Sequence, residues 1–344
     1  MSKRRSGKRR NGEGKGRWVA LGVAGALSLG FVVTRGSGGE EAPVALSTTP
    51  ASTDPADGTA KAPEAPAELV ASLERLGEEG IHPILDLRRL VVEFGDSEPA
   101  GRARAALAAE AERQLAAARA AKGQDPSGAL VAMTRAYLAT LDSAARRKLR
   151  PEAEALSAAA VAAPGCPLVK THQVKPGEVL SRIARHAGTD YRLIKRLSGM
   201  SRDFLKVGQQ LKLPAVPSEV VIFKRDFELV VLLGGHLLRA FDVATGKSGR
   251  TPEGRFDIGT KQVDPTWYSP DGKVYPFGSE GNILGTRWLA FVDTPEHKGF
   301  GIHGTKFPES IGTEASMGCI RMRNAEVEVV YDLIPSGSKV RIQK

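Results

Sequence analysis

Cysteine is almost missing from this chain. Two cysteines in 344 residues exclude a disulfide-stapled scaffold and an all-cysteine zinc site. Aromatic residues make up only 6%. Partners at metal-ligand spacing are lacking for His172, His186, His236 and His297, so surface or loop roles are their default and no metal or cofactor is expected. His82 precedes Pro83 and reads as a loop residue. A basic body is lacking too. The net charge is +10, but residues 1–17 hold eight Lys/Arg and one Glu, leaving about +3 for the rest. The basicity is a local tag, which argues against a nucleic-acid partner.

What is present suffices for folded domains. Hydrophobic residues are 41% and charged residues 26%, a globular balance over a length that suggests two or three domains. Behind the basic tag, residues 18–34 carry no charge. At 1.5 Å per residue a helix there reaches about 25 Å, the lower limit for spanning a bilayer. The Lys/Arg on its N-terminal side set that end inside. The following Thr-Arg-Gly-Ser-Gly-Gly-Glu-Glu is a poor cleavage site, so an uncleaved single-pass signal anchor is expected over a cleaved signal peptide. A nuclear-localisation reading leaves the apolar run unexplained. Residues 35–67 are Gly, Ala, Pro, Ser, Thr and acid-rich, and read as a disordered linker.

Residues 68–162 show helical periodicity in Leu69, Leu73, Leu76, Ile84, Leu85, Leu87, Leu90, Val91 and Phe94. Asp125-Pro126 and Asp142-Ser143 look like helix starts. Four or five antiparallel helices are expected, acting as a spacer or docking scaffold without catalytic residues. Cys166 falls in a linker and is expected to be incidental or paired between chains. A bond to Cys319 would be an inactivating switch.

Residues 170–214 read as strand–helix–helix–strand. Pro176-Gly177 and Val207-Gly208 mark turns, Thr189 is a candidate cap, and Leu180, Ile183, Ala184, Leu193, Ile194, Leu197, Leu211 and Leu213 are candidate core. Val174-Lys175-Pro176-Gly177-Glu178, Leu180, Ile183-Ala184, Leu197, Gly208-Gln209-Gln210-Leu211 and Leu213-Pro214 resemble a LysM domain, a peptidoglycan-binding module. Ser198 stands where that family most often has Asn, and Val179 where it usually has Thr. The resemblance implies binding of N-acetylglucosamine-containing glycan in a groove between the first helix and the closing strand.

From 218 to 344 the period changes. Val220–Ile222, Leu229–Leu233, Phe241–Val243, Gly254–Ile258, Trp288–Val292 and Lys339–Ile342 are strand candidates, giving a mainly-β sandwich or barrel. Here His303 and Cys319 stand 16 residues apart. A thiol near its usual pKa is only a few per cent thiolate at neutral pH, so a nucleophilic Cys gains from an imidazole that takes its proton. Gly318 would let a carbonyl approach the backbone, with the N–H groups of Met317, Gly318 and Cys319 as a candidate oxyanion hole. A bland buried cysteine is the alternative on these residues alone.

The whole segment is similar to the L,D-transpeptidase (YkuD) catalytic domain. The resemblance rests on Thr251-Pro252-Glu253-Gly254-Arg255-Phe256, Pro265-Thr266-Trp267-Tyr268, Asn282–Trp288, Ile302-His303-Gly304-Thr305 and Ser316-Met317-Gly318-Cys319-Ile320-Arg321-Met322. It implies Cys319 as nucleophile, His303 as general base and then acid, and the Gly304 carbonyl as the group orienting the imidazole. Arg321 has a structural or a carboxylate-binding role, and Ser316, Trp288 and Tyr268 are candidate substrate contacts or core. Met317 replaces a second His found in many members. The implied reaction is acyl transfer. Cys319 attacks the diaminopimelate carbonyl of a tetrapeptide stem and releases D-alanine, and the thioester passes to an amine, giving a 3→3 cross-link or protein attachment at the bacterial cell envelope. An L,D-carboxypeptidase using water and a non-catalytic wall-attachment protein are the alternatives.

Overall fold

The computed structural model describes residues 64–344. The basic tag at 1–17, the anchor at 18–34 and nearly all of the linker at 35–67 lie outside the described residues. Among the described residues no helix is long and apolar enough to cross a membrane.

The chain starts with helices α1 (Ala67–Ala71), α2 (His82–Glu93), α3 (Glu98–Ala121), α4 (Pro126–Ala139) and α5 (Ser143–Ala162). Three of these starts, those of α3, α4 and α5, are capped by side chains. Ser97 accepts from the Ala100 N–H, Asp125 from Gly128 and Asp142 from Ala144, each satisfying an otherwise orphaned amide. His82 begins α2 rather than sitting in a loop, because Pro83 suits the first turn, where its missing N–H costs nothing. On α3 the buried stripe Ala100, Ala103, Leu107, Glu110 and Ala118 is mostly small, which lets α4 pack closely.

A small module follows: β1 (Val169–Gln173), α6 (Leu180–His186), α7 (Tyr191–Leu197) and β2 (Gln210–Pro214), with β1 and β2 antiparallel. Its core is Val174, Leu180, Ile183, Ala184, Ile194 and Leu211. Asp190 caps α7, not Thr189, its carboxylate accepting from the Arg192 N–H at 2.9 Å. Val179 precedes α6 with no side-chain cap, as a residue without a hydroxyl must. Ser198 Oγ accepts from the Lys212 N–H at 2.8 Å, so the hydroxyl holds the closing strand.

The remainder comprises β3 (Ser218–Phe223), β4 (Glu228–Leu233), β5 (His236–Asp242), β6 (Thr245–Gly246), β7 (Gly254–Val263), β8 (Trp267–Tyr268), β9 (Val274–Tyr275), β10 (Arg287–Phe291), β11 (Gly301–His303), β12 (Glu314–Ser316), β13 (Ile320–Arg321), α8 (Asn324–Leu333) and β14 (Lys339–Gln343). The expected mainly-β domain is present, its strands running in the mixed order β13-β11-β10-β7-β14-β3-β4-β5, where β14 pairs with the first half of β7 and β10 with the second, with the side ladders β12-β6 and β8-β9. Two neighbouring pairs, β11–β13 and β14–β3, are parallel. Helix α8 was not foreseen. It packs Val327, Val330 and Tyr331 into the sheet's core.

The helical layer is no spacer. Every residue of β4 is buried, as a strand covered on both faces must be. Val220, Ile222, Leu229 and Val231 face the core containing α8, while Val221, Phe223, Val230 and Leu232 face the one containing α2 to α5. Helices and sheet therefore share a core. They also share a buried charge network. Glu228 accepts from Tyr137 Oη at 2.6 Å and Arg146 Nε at 2.8 Å, and Arg146 reaches Asp226 at 2.6 Å. Burial alone would raise the Glu228 carboxyl, but Arg146, Tyr137 and Arg150 hold it below the usual range. Cys166, at 5% exposure, is a free core thiol and not a linker residue available to another chain. The module docks through α7. Leu193 enters the sheet's core, Arg196 pairs with Asp332 at 2.8 Å, and Lys261 bridges Asp190 at 3.2 Å and the Tyr331 carbonyl at 2.7 Å.

Removing one member of a buried ionic network strands the others. Glu228→Leu is expected to destabilise the protein by about 3–5 kcal/mol in denaturant titrations followed by circular dichroism. A loss under about 1 kcal/mol, within the range of a surface pair, would show that helices and sheet do not depend on this contact.

Candidate active site

Strand register assembles the site. In the parallel ladder Ile302 stands opposite Ile320 and His303 opposite Arg321. Side chains alternate across a strand, so 303 and 321 share a face, and 319, two residues before 321, is directed to it as well. On the other side of β11, Trp288 pairs with His303, and the rings lie 6.0 Å apart between centroids. His303, Cys319, Arg321, Trp288, Tyr268, Ser316 and Met317 all line one cleft of about 470 Å³, joined by Phe300, Gly299 and Lys298. The structure thus brings together the side chains singled out from the sequence.

The imidazole is oriented from its own chain. His303 Nδ1 donates to the Gly304 carbonyl at 2.5 Å. A carbonyl only accepts, so Nδ1 carries the proton and Nε2 is left as the basic nitrogen. His303 is 2% exposed. Burial lowers its pKa to about 4, against the opposing pull of the Gly304 bond.

The thiol is parked elsewhere. Cys319 Sγ donates to the Gly299 carbonyl at 3.7 Å, and no hydrogen bond joins it to His303 among the described residues. Burial pushes the thiol up to about 11, although the Gly301 N–H and Arg321 favour the anion. An imidazole at about 4 beside a thiol at about 11 makes a neutral resting pair.

The loop before Cys319 is locked internally. Ser316 Oγ donates to the Cys319 carbonyl at 2.6 Å and accepts from the Gly318 N–H at 3.0 Å. That hydroxyl shapes the loop and is not free for substrate. The Gly318 N–H is likewise occupied, leaving Met317 and Cys319 from the expected trio of amides. Gly318 has φ of 137°, and a Cβ there would lie 2.5 Å from the Phe300 ring, so backbone conformation and packing demand glycine. Thr251, unnoticed in the sequence beyond its motif, fastens the same loop. Its Oγ1 donates to the Gly318 carbonyl at 2.8 Å and accepts from the Gly246 N–H at 2.7 Å.

Arg321 is largely buried. One guanidinium nitrogen reaches Ser310 Oγ at 3.2 Å, while Nε has no partner. Burial lowers its pKa. It therefore has both a structural bond and an unspent donor. Met317, at 56% exposure, and Tyr268, at 74%, form the rim.

The neutral pair predicts a pH signature. Alkylation of Cys319 by iodoacetamide should climb steadily through neutral pH and reach half its maximum only near pH 11, as the thiol ionises. A plateau reached below pH 7 would reveal a standing thiolate–imidazolium pair and contradict the neutral state.

With this geometry in view, the similarities are informative. The L,D-transpeptidase catalytic domain family matches residues 217–342 and the LysM domain family matches 172–214. A Bacillus subtilis protein provisionally named L,D-transpeptidase YqjB is 40% identical over 125 residues, 36% of this chain and 69% of that one. A Bacillus licheniformis protein provisionally named L,D-transpeptidase YkuD is 31% identical over 182 residues, 50% of this chain and 97% of its own. A solved L,D-transpeptidase from Mycobacterium smegmatis covers 52% of this chain and 92% of its own at 16% identity and a TM-score of 0.31, too distant to add to the assignment. Since the licheniformis relative is matched over nearly its full length at 31% identity, and the two family models match consecutive stretches, the chain belongs to the L,D-transpeptidase (YkuD) family of enzymes, with a LysM domain ahead of its catalytic domain.

Proposed function

We propose that this enzyme cross-links peptidoglycan stems with Cys319 as nucleophile and His303 as its proton carrier. The observation that carries the reading is the ladder between β11 and β13, which directs His303 and Cys319 into one cleft. On binding, the diaminopimelate carbonyl of a tetrapeptide stem meets Sγ. The thiol proton passes to His303 Nε2 as the S–C bond forms, so a thiolate arises only with substrate in place. The N–H groups of Met317 and Cys319 are the donors for the resulting oxyanion. Collapse breaks the C–N bond, and His303 returns the proton to the departing D-alanine amine. A second stem's side-chain amine then attacks the thioester, gives its proton to Nε2, and restores the thiol.

The Gly304 bond supports this role. By holding the proton on Nδ1 it keeps Nε2 available as base, and burial keeps the ring neutral down to about pH 4. The LysM domain holds glycan of the same polymer. Its fixed docking through Lys261 and Arg196 adds a second grip on the substrate next to Gln262, which lines the cleft. Residues 18–34 tether the enzyme to the membrane as a single-pass anchor, with the folded domains on the wall side. Their support is the uncharged run behind eight basic residues.

The test uses the full chain with disaccharide tetrapeptides and mass spectrometry. Cross-linked dimer with released D-alanine is expected. Tripeptide alone would mean that water is the acceptor and the enzyme is a carboxypeptidase. Equal product from Cys319→Ala would end the assignment of the nucleophile.

A further inference from the structure

Asn324 lies outside the cleft lining, yet it touches the peptide on which the imidazole depends. It is the first residue of α8 and follows β13 closely. Its Oδ1 accepts from the Thr305 N–H at 3.1 Å and from the Thr286 N–H at 3.3 Å. The Thr305 N–H and the Gly304 carbonyl are opposite ends of one peptide unit. A trans peptide is planar, so its N–H and C=O point in opposite directions and turn together. Fixing the N–H fixes the carbonyl that receives His303 Nδ1–H at 2.5 Å.

Gly285 packs closely against that peptide, but the neighbouring backbone hydrogen bonds do not orient it. The Gly304 N–H is held by the Arg287 carbonyl at 3.2 Å, and the His303 carbonyl accepts from the Met322 N–H at 2.9 Å. Both bonds lie on the preceding side of Gly304, and neither sets the orientation of the 304–305 plane. Glycine at 304 is what allows the approach, because a Cβ there would collide with Asn324 Oδ1. Without that acceptor, a rotation of the 304–305 plane would withdraw the carbonyl. Nδ1 would lose its acceptor, and the ring would be free to carry its proton on Nε2, the wrong nitrogen for a base.

We infer that Asn324 is a positioning residue for His303, selecting the imidazole tautomer through the Gly304–Thr305 peptide. The inference rests on the role proposed for His303, but its geometry stands without it. The chemistry required at position 324 is an acceptor, not an amide. Asn324→Asp should therefore preserve the function, and its negative charge is favourable at a helix N-terminus. Asn324→Ala and the similarly branched Asn324→Leu lack the acceptor.

The experiment reads the tautomer directly, in the full chain labelled with ¹⁵N-histidine. Two-bond proton–nitrogen correlation spectra are recorded at neutral pH, with the His303 signals assigned by comparison with His303→Gln. The wild type and Asn324→Asp should show an Nδ1-protonated ring. Asn324→Ala and Asn324→Leu should show an Nε2-protonated or exchanging ring, with kcat for transfer reduced roughly 10²-fold, the scale of a general base, and KM little changed. An unaltered Nδ1–H tautomer in a folded Asn324→Ala or Asn324→Leu protein would overturn the inference, even if activity fell. Absence of transfer by the wild type would refute the proposed reaction, while the tautomer shift would still support the positioning.

Discussion

Two short parallel strands set the chemistry of this protein. The pairing of β11 with β13 spans only Ile302–Ile320 and His303–Arg321, but it unites chain segments that the sequence separates by a loop. A one-residue slip would send His303 to the opposite face of the sheet. The surrounding structure guards against that slip. Ile302 and Ile320 are fully buried, Arg321 exchanges backbone bonds with Ala244, and Met322 continues the pairing to the His303 carbonyl. The cleft inherits its precision from this ladder, with the loop from Ser316 to Cys319 tied by Ser316 and Thr251.

The electrostatic consequence follows from burial. The His303 ring, sealed from water, holds a positive charge poorly, and burial likewise disfavours the thiolate of Cys319, which is only half-buried at the cleft. Both shifts favour the neutral forms of the two groups.

Much of this was legible from the residues, for identifiable reasons. The LysM order of elements was readable because its turns carry glycine and its helices show regular apolar spacing. The stretches that bring His303, Gly304 and Cys319 to one place stood out because their motifs are local. Helix α8 was missed because Asn324–Leu333 is rich in valine and has no side-chain cap. Its helicity comes from packing on the sheet, which overrides weak intrinsic preference. The role of the helical layer was missed because periodicity tells which face is apolar, not what covers it. The unbroken apolar run Leu229–Leu233 was the available signal, since a strand buried on both faces needs a second layer. Asn324 had no signal at all. Its importance depends on two loops meeting at one oxygen, a fact of tertiary structure alone.

The central claim is that the acyl group is carried on the sulfur of Cys319. Intact-protein mass spectrometry during turnover of a tetrapeptide stem, without an acceptor amine, tests it most directly. The account predicts a mass increase equal to the stem minus D-alanine, located on the Cys319 peptide after digestion. The same adduct on a Cys319→Ser or Cys319→Ala protein, or on any residue other than 319, would contradict it.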